Sequence, residues 1–421
     1  MGMKFGFLGS VLVLLALGLL SCGNTALTNA GSGILYVTAQ ADASVSGISA
    51  YGIDLTTGVL NGTSNYGVPT GNRPGAIVES PSGNALFVAN IQDNTISSYT
   101  VNSDGTLTPA ANPTKLNPLS ELAPMGMAID SGGKFLFVAN QGTLLLAQPN
   151  PPIPNFTPVS GSISVFSING ATLTEIAGSP FSAEPPNPVV GSGPVSVAVA
   201  PNANYLYVAN QFANNVSVFS IASNGALTQI VGTAISPPGA PPYPVGTAPS
   251  AVALTPDGNF LYVANTGSNN ITAFFACTNA NLDCAKPPTG LLTPVAGSPF
   301  SAGLGPVAIT AAMDIPGDEF LFVVDQVSNQ VSQYKVAVGT GVLSPASPAT
   351  LSTGAGPSAI VIRPSGQPVL ADGGTTNYLY VANTTAGTIS SFSYDTTEGV
   401  LQVITGSSVT TPGQPAGLAV K

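Results

Sequence analysis

YLYVAN, residues 205–210, decides the fold, because the same stretch returns with small changes along the whole chain. The other copies are ILYVTA (34–39), ALFVAN (85–90), FLFVAN (135–140), FLYVAN (260–265), FLFVVD (320–325) and YLYVAN (378–383). Each is short and rich in β-branched and aromatic residues, which is the composition of a strand. Recurrence at a spacing of about 50 to 70 residues marks one supersecondary unit used repeatedly.

Companion segments define that unit. Before each copy, except the first, lies a segment opened by a proline: Pro74, Pro124, Pro194, Pro249, Pro306 and Pro357; a seventh, Pro415, stands alone at the C-terminus. Large residues such as Ile77, Met127, Val197, Val252, Ile309, Ile360 and Leu418 alternate there with Ala and Gly, as on the two faces of a strand. The large set is expected between neighbouring units and the small set at a crowded central axis. Turn formers such as PSGN (81–84) and PDGN (256–259) join this strand to the next, and Asp257 reads as a turn carboxylate rather than a metal ligand. A third strand alternates polar and apolar residues, as in NNVSVFSI (214–221), and a fourth is marked by Gly and Leu, as in GAL (225–227). Proline-dense insertions at 148–159, 184–193 and 237–244 read as surface loops.

The ends complete one another. The first LYV-type strand, at Ile34, lacks a proline-led strand before it, and the last proline-led strand, from Pro415, lacks an LYV strand after it. An all-β, seven-bladed β-propeller of four-stranded antiparallel blades, closed by pairing of the N- and C-terminal strands, is the expected fold.

Only 6 % of residues are charged, against 48 Gly and 38 Pro, so little helix is expected. A net charge of −10 with eight Lys and Arg in total excludes a nucleic-acid partner, which would require clustered cations. At the N-terminus, Lys4 precedes an apolar run to Leu20 and then LLSC, residues 19–22, which resembles a bacterial lipobox. That resemblance implies a signal peptide over 1–21, lipid attachment at Cys22, a tether over 22–32 and the propeller over 33–421. The protein is then expected outside the cytoplasm as a membrane-anchored lipoprotein, periplasmic or at the cell surface. In that oxidising setting Cys277 and Cys284 are expected to form a disulfide.

Tyr36-Val37-Thr38, the six further LYVAN-like strands and the recurring proline-led segments resemble the YVTN-type repeats of exported propellers and the propeller lactonase family, whose type member is 6-phosphogluconolactonase. The resemblance implies His, Arg and acidic side chains at the mouth of the central channel. This chain has no His, and its arginines are Arg73 and Arg363 alone, so no catalytic residue is carried over. Candidate ligand contacts are the residues ending the repeated strand, Asn90, Asn140, Asn210, Asn265, Asp325 and Asn383, which also suit turn closure. Arg73 joins them, since it stands before a proline where five other blades carry Ala or Gly and one carries Gln414, and Glu79 holds a position that is apolar elsewhere. No metal or cofactor is expected. The main functional expectation is a non-catalytic, envelope-anchored binding or scaffold module for an acidic or carbohydrate ligand or an envelope protein, with a lactone hydrolase as the alternative.

Overall fold

In the computed structural model the strand Gly33–Gln40 pairs on one side with Gly47–Ile53, which pairs with Leu60–Pro69, and on the other side with Gln414–Val420. The two ends of the chain therefore share one sheet, with Leu35 opposite Val420 and Val37 opposite Leu418. Closure also runs through the backbone, as Lys421 N–H donates to Ile34 C=O at 2.8 Å. The structure describes residues 33–40, 47–118, 120–142, 161–183, 192–230, 243–278, 289–313, 319–363, 377–394, 400–404, 406 and 408–421. No helix occurs among them.

Six further antiparallel sheets follow, each opened by a proline-led strand: Pro74–Glu79, Pro124–Ile129, Pro194–Val199, Pro249–Leu254, Pro306–Met313 and Pro357–Ile362. These strands and Gln414–Val420 touch one another in closed circular order, so they are the innermost strands of seven blades. The outermost position is a pair of short strands in blades 2, 3, 5 and 7, because Pro and Gly interrupt it; in blade 2, Leu107–Pro109 and Thr114–Lys115 both pair with Thr95–Val101.

Strand alternation divides the core into seven layers, one between each pair of neighbouring blades. In YLYVAN, Tyr207 and Ala209 pack towards blade 5, and Leu206 and Val208 pack towards blade 3. The innermost strands follow the same rule. Ile77 packs against blade 1, whereas Ala76 and Val78 lean on blade 3. Ala76, Ala359 and Gly417 of the small set line the axis as expected, but Ile77, Met127 and Leu418 of the large set line it too. Both faces of an inner strand are covered by neighbouring blades, and the small residues let the following blade approach.

The signal segment, Cys22 and the tether lie outside the described residues, as does Cys284. Cys277 is disulfide-bonded.

Candidate functional site

The ring of inner strands leaves a cavity of about 940 Å³ on the axis. Every blade contributes the residue after its proline: Gly75, Met125, Val195, Ser250, Val307, Ser358 and Ala416. Ile77, Met127 and Leu418 form an apolar lining, while Gln40, Gln211 and Gln326 supply amides.

Arg73 is the one charged side chain among the described residues that line this cavity, and it is exposed. Its placement follows from the backbone. The residue before the proline lies at positive φ in six blades: Arg73 at 52°, Ala123 at 55°, Gly193 at 62°, Ala248 at 50°, Gly305 at 67° and Gly356 at 63°. That region favours glycine, which explains the row of small residues; Arg73 holds it under the same strain as Ala123 and Ala248 but is the one large side chain to do so. The preceding blade holds this turn where Asn94 Oδ1 accepts from Ala123 N–H at 2.8 Å and Asn269 Oδ1 from Gly305 N–H at 2.7 Å. Around Arg73 the frame is tight. Its C=O accepts from Ile91 N–H at 3.0 Å, Asp93 accepts from Asn72 N–H at 2.7 Å and Nδ2 at 2.8 Å, and Gln40 Nε2 donates to Pro74 C=O at 3.1 Å.

The other expected contacts are not brought together with Arg73. Asn90, Asn140, Asn210, Asn265, Asn383 and Asp325 are all 0 % exposed and do not line the cavity. Asn90 Nδ2 donates to Thr95 Oγ1 and Ser97 Oγ, both at 2.9 Å, and its Oδ1 accepts from Gly71 N–H at 3.0 Å. Asn210 and Asn383 make the same tie to the third strand, through Ser217 and Ser390. Asp325 accepts from Ser332 Oγ at 2.5 Å; burial pushes its carboxyl up, and hydrogen bonds from Ser332 and Gln330 pull it back. The placement corrects the reading of these residues as a ligand rim, because each is spent on tying two strands of its own blade.

Glu79 also stands apart from the cavity lining. Burial pushes its carboxyl up to about 7 against the pull of the Lys421 ammonium. Arg363 is likewise absent from the lining. Among the described residues, no three His, Cys, Asp or Glu side chains gather into a metal-binding group.

The glutamines were missed from sequence because they occupy the position one residue beyond the motif. That position reads Gln40, Ile91, Gln141, Gln211, Thr266, Gln326 and Thr384, a predominance of amides and hydroxyls that is a readable signal.

A family described as "Lactonase, 7-bladed beta-propeller" matches residues 27–148, 159–284 and 312–418. The 6-phosphogluconolactonase of Bacillus subtilis (strain 168) is 24 % identical over 258 residues, covering 59 % of this chain and 64 % of the relative. The 6-phosphogluconolactonase of Blochmanniella floridana is 24 % identical over 229 residues, covering 53 % and 56 %. The chain thus spans less than two thirds of the length of the curated relatives it matches. The solved structure of the periplasmic gluconolactonase PpgL of Pseudomonas aeruginosa has a TM-score of 0.65 at 20 % identity, covering 92 % of this chain and 99 % of that one, a likeness of fold. The family match and these relatives overturn the expectation of a non-catalytic binding or scaffold module and favour the lactonase alternative.

Proposed function

The chain belongs to the seven-bladed β-propeller lactonase family, and from that premise we propose that it hydrolyses sugar lactones in the cavity at the channel mouth. The observation that carries this is the placement of Arg73, the one charged side chain among the described lining residues, at a strained position of an otherwise uncharged cavity. Water attacks the lactone carbonyl carbon, and the carbonyl oxygen becomes an oxyanion. The guanidinium offers it two parallel, charged N–H donors held in place by the backbone around Arg73. Collapse of the tetrahedral intermediate breaks the ring C–O bond. The ring oxygen takes a proton from water, and the proton of the attacking water leaves to solvent, giving the hydroxy acid. No carboxylate is among the described lining residues, and what those residues contribute is positioning and charge stabilisation.

With Arg73 assigned to the carbonyl oxygen, no second cation among the described lining residues is left to pair with a phosphate, which favours the unphosphorylated lactone. Rates on glucono-δ-lactone and on its 6-phosphate test this. A higher kcat/KM for the unphosphorylated lactone supports the reading, and a preference of tenfold or more for the phosphate ester contradicts it.

We further propose export and lipid anchoring at Cys22, supported by Lys4, the apolar run and LLSC. A neutral sugar lactone, unlike its phosphate ester, is a plausible solute outside the cytoplasm. Mass spectrometry of the membrane fraction is the test: a mature chain starting at a lipidated Cys22 supports it, and an unmodified start elsewhere refutes it.

A further inference from the structure

We propose that Gln40, Gln211 and Gln326 form a girdle that reads the hydroxyl groups of the ligand, and that Gln141 is a positioning residue that fixes the amide of Gln211. The identity of the ligand as a polyhydroxylated lactone rests on the lactonase reading; the girdle rests on its own geometry.

Each of these glutamines directly follows the last residue of the repeated strand. In blades 3, 4 and 6 that residue is Asn140, Asn210 or Asp325, buried and tied to the third strand. The glutamine Cα is therefore held by a rigid neighbour. Its own backbone is held too: Gln141 N–H donates to Ala123 C=O at 3.0 Å, Gln211 N–H to Gly193 C=O at 2.8 Å and Gln326 N–H to Gly305 C=O at 2.8 Å. A long amide side chain on such a base sweeps a small volume, which suits selective recognition.

The side chains are arranged to offer complementary groups. Gln40 donates through Nε2 to Pro74 C=O, leaving its carbonyl oxygen to accept. Gln141 does not line the cavity, but its Nε2 donates to Gln211 Oε1 at 2.8 Å. With that oxygen occupied, the amide of Gln211 is fixed with its N–H₂ available to donate to the cavity that it lines. Gln326 lines the cavity from blade 6 and can do both. A hydroxyl is donor and acceptor at once, so amides presented from different sides select a polyol. Carboxylates would instead repel the hydroxy-acid product. Ile77, Met127 and Leu418 supply an apolar lining suited to the C–H face of a sugar ring.

The experiment uses the full chain and two substrates, glucono-δ-lactone and δ-valerolactone, which has the same ring without hydroxyls. It adds calorimetric binding of gluconolactam, the amide analogue that resists hydrolysis. Gln211→Ala should lower the ratio of kcat/KM for glucono-δ-lactone over δ-valerolactone about tenfold, chiefly through KM, as loss of one hydrogen bond implies. Gln141→Ala should lower it about threefold, because the freed amide of Gln211 turns among orientations. Both variants should weaken gluconolactam binding by the same factors. An unchanged ratio in both variants, or an equal fall on both substrates, overturns the girdle. Should the wild type hydrolyse neither lactone, the lactonase reading fails, and lactam binding alone decides: loss of affinity in Gln211→Ala sustains the girdle, and undetectable or unaltered binding overturns it.

Discussion

The hydroxyl of Tyr380 donates a hydrogen bond to the carbonyl oxygen of Gly58 at 3.0 Å, joining the last blade to the first. It is one instance of a repeated joint. Tyr36 meets Gly105 at 2.9 Å, Tyr207 meets Gly290 at 3.1 Å and Tyr262 meets Gly341 at 2.8 Å, each from the third position of the motif to the glycine opening the fourth strand of the next blade. The glycine is required twice over. At Gly58 the φ is +71°, and an added Cβ would overlap the ring of Tyr378, two residues before Tyr380. Two markers that look independent in the sequence, the aromatic of LYV and the glycine of GVL, are thus the two halves of one contact.

Removing the hydroxyl alone should have a modest effect. Tyr380→Phe should lower stability by about 1 kcal/mol, the net worth of a buried hydrogen bond. Gly58→Ala should lower it by roughly 2 to 4 kcal/mol through backbone strain and overpacking together. Urea denaturation of the three proteins checks the order, which the account requires to be wild type, Tyr380→Phe, Gly58→Ala.

Closure predicts a larger loss on truncation. Deleting residues 414–421 strips the inner strand from blade 1, removes Leu418 from the layer between blades 7 and 1, and leaves an unpaired edge along Gly33–Gln40. The truncated chain should melt at least about 10 °C lower or aggregate, and an unaltered melting temperature would contradict ring closure.

Buried carboxyls make stability fall with rising pH. Burial, with the neighbouring Asp257 carboxylate second, pushes Glu319 up to about 8, and burial pushes Glu79 up to about 7. Both lie above the ordinary value of 4.5, so the folded state holds protons that the unfolded state has released. This stabilisation is fully present below about pH 4.5 and fades as pH rises through 7 and 8. Melting scans should give a higher temperature at pH 5 than at pH 8.5, and Glu319→Gln should flatten the difference. A melting temperature that rises with pH would count against this.

The fold was legible because a repeat shows its register many times over, and the unmatched strands at the two ends stated how the ring closes. The site was less legible. The asparagines stand out by recurrence, yet recurrence follows from what every blade needs, here a tie between two strands. What distinguishes the cavity is what varies: Arg73 among small residues was visible, but Gln211 and Gln326 sit one residue past the motif, where amides and hydroxyls recur without marking which of them reach the cavity. The bond from Gln141 to Gln211 joins two blades and depends on the ring itself.

The disulfide of Cys277 should act locally. Cys277→Ser should cost at most a few kcal/mol and leave the propeller folded, since the bond closes a short peripheral loop if Cys284 is its partner. Alkylation of the native protein without reductant checks the state of both thiols; free Cys277 and Cys284 would contradict the pairing.

Lactone hydrolysis at Arg73 is tested by the initial rate of glucono-δ-lactone hydrolysis above the spontaneous reaction, for wild type and Arg73→Ala. The wild type should show clear turnover, and kcat/KM should fall about 10²-fold in the variant, the scale expected for loss of an oxyanion donor. Its melting temperature should not drop, because Arg73 is exposed and alanine already occupies the same backbone conformation at Ala123 and Ala248. A wild-type rate no higher than the spontaneous one, or full activity in Arg73→Ala, would contradict it.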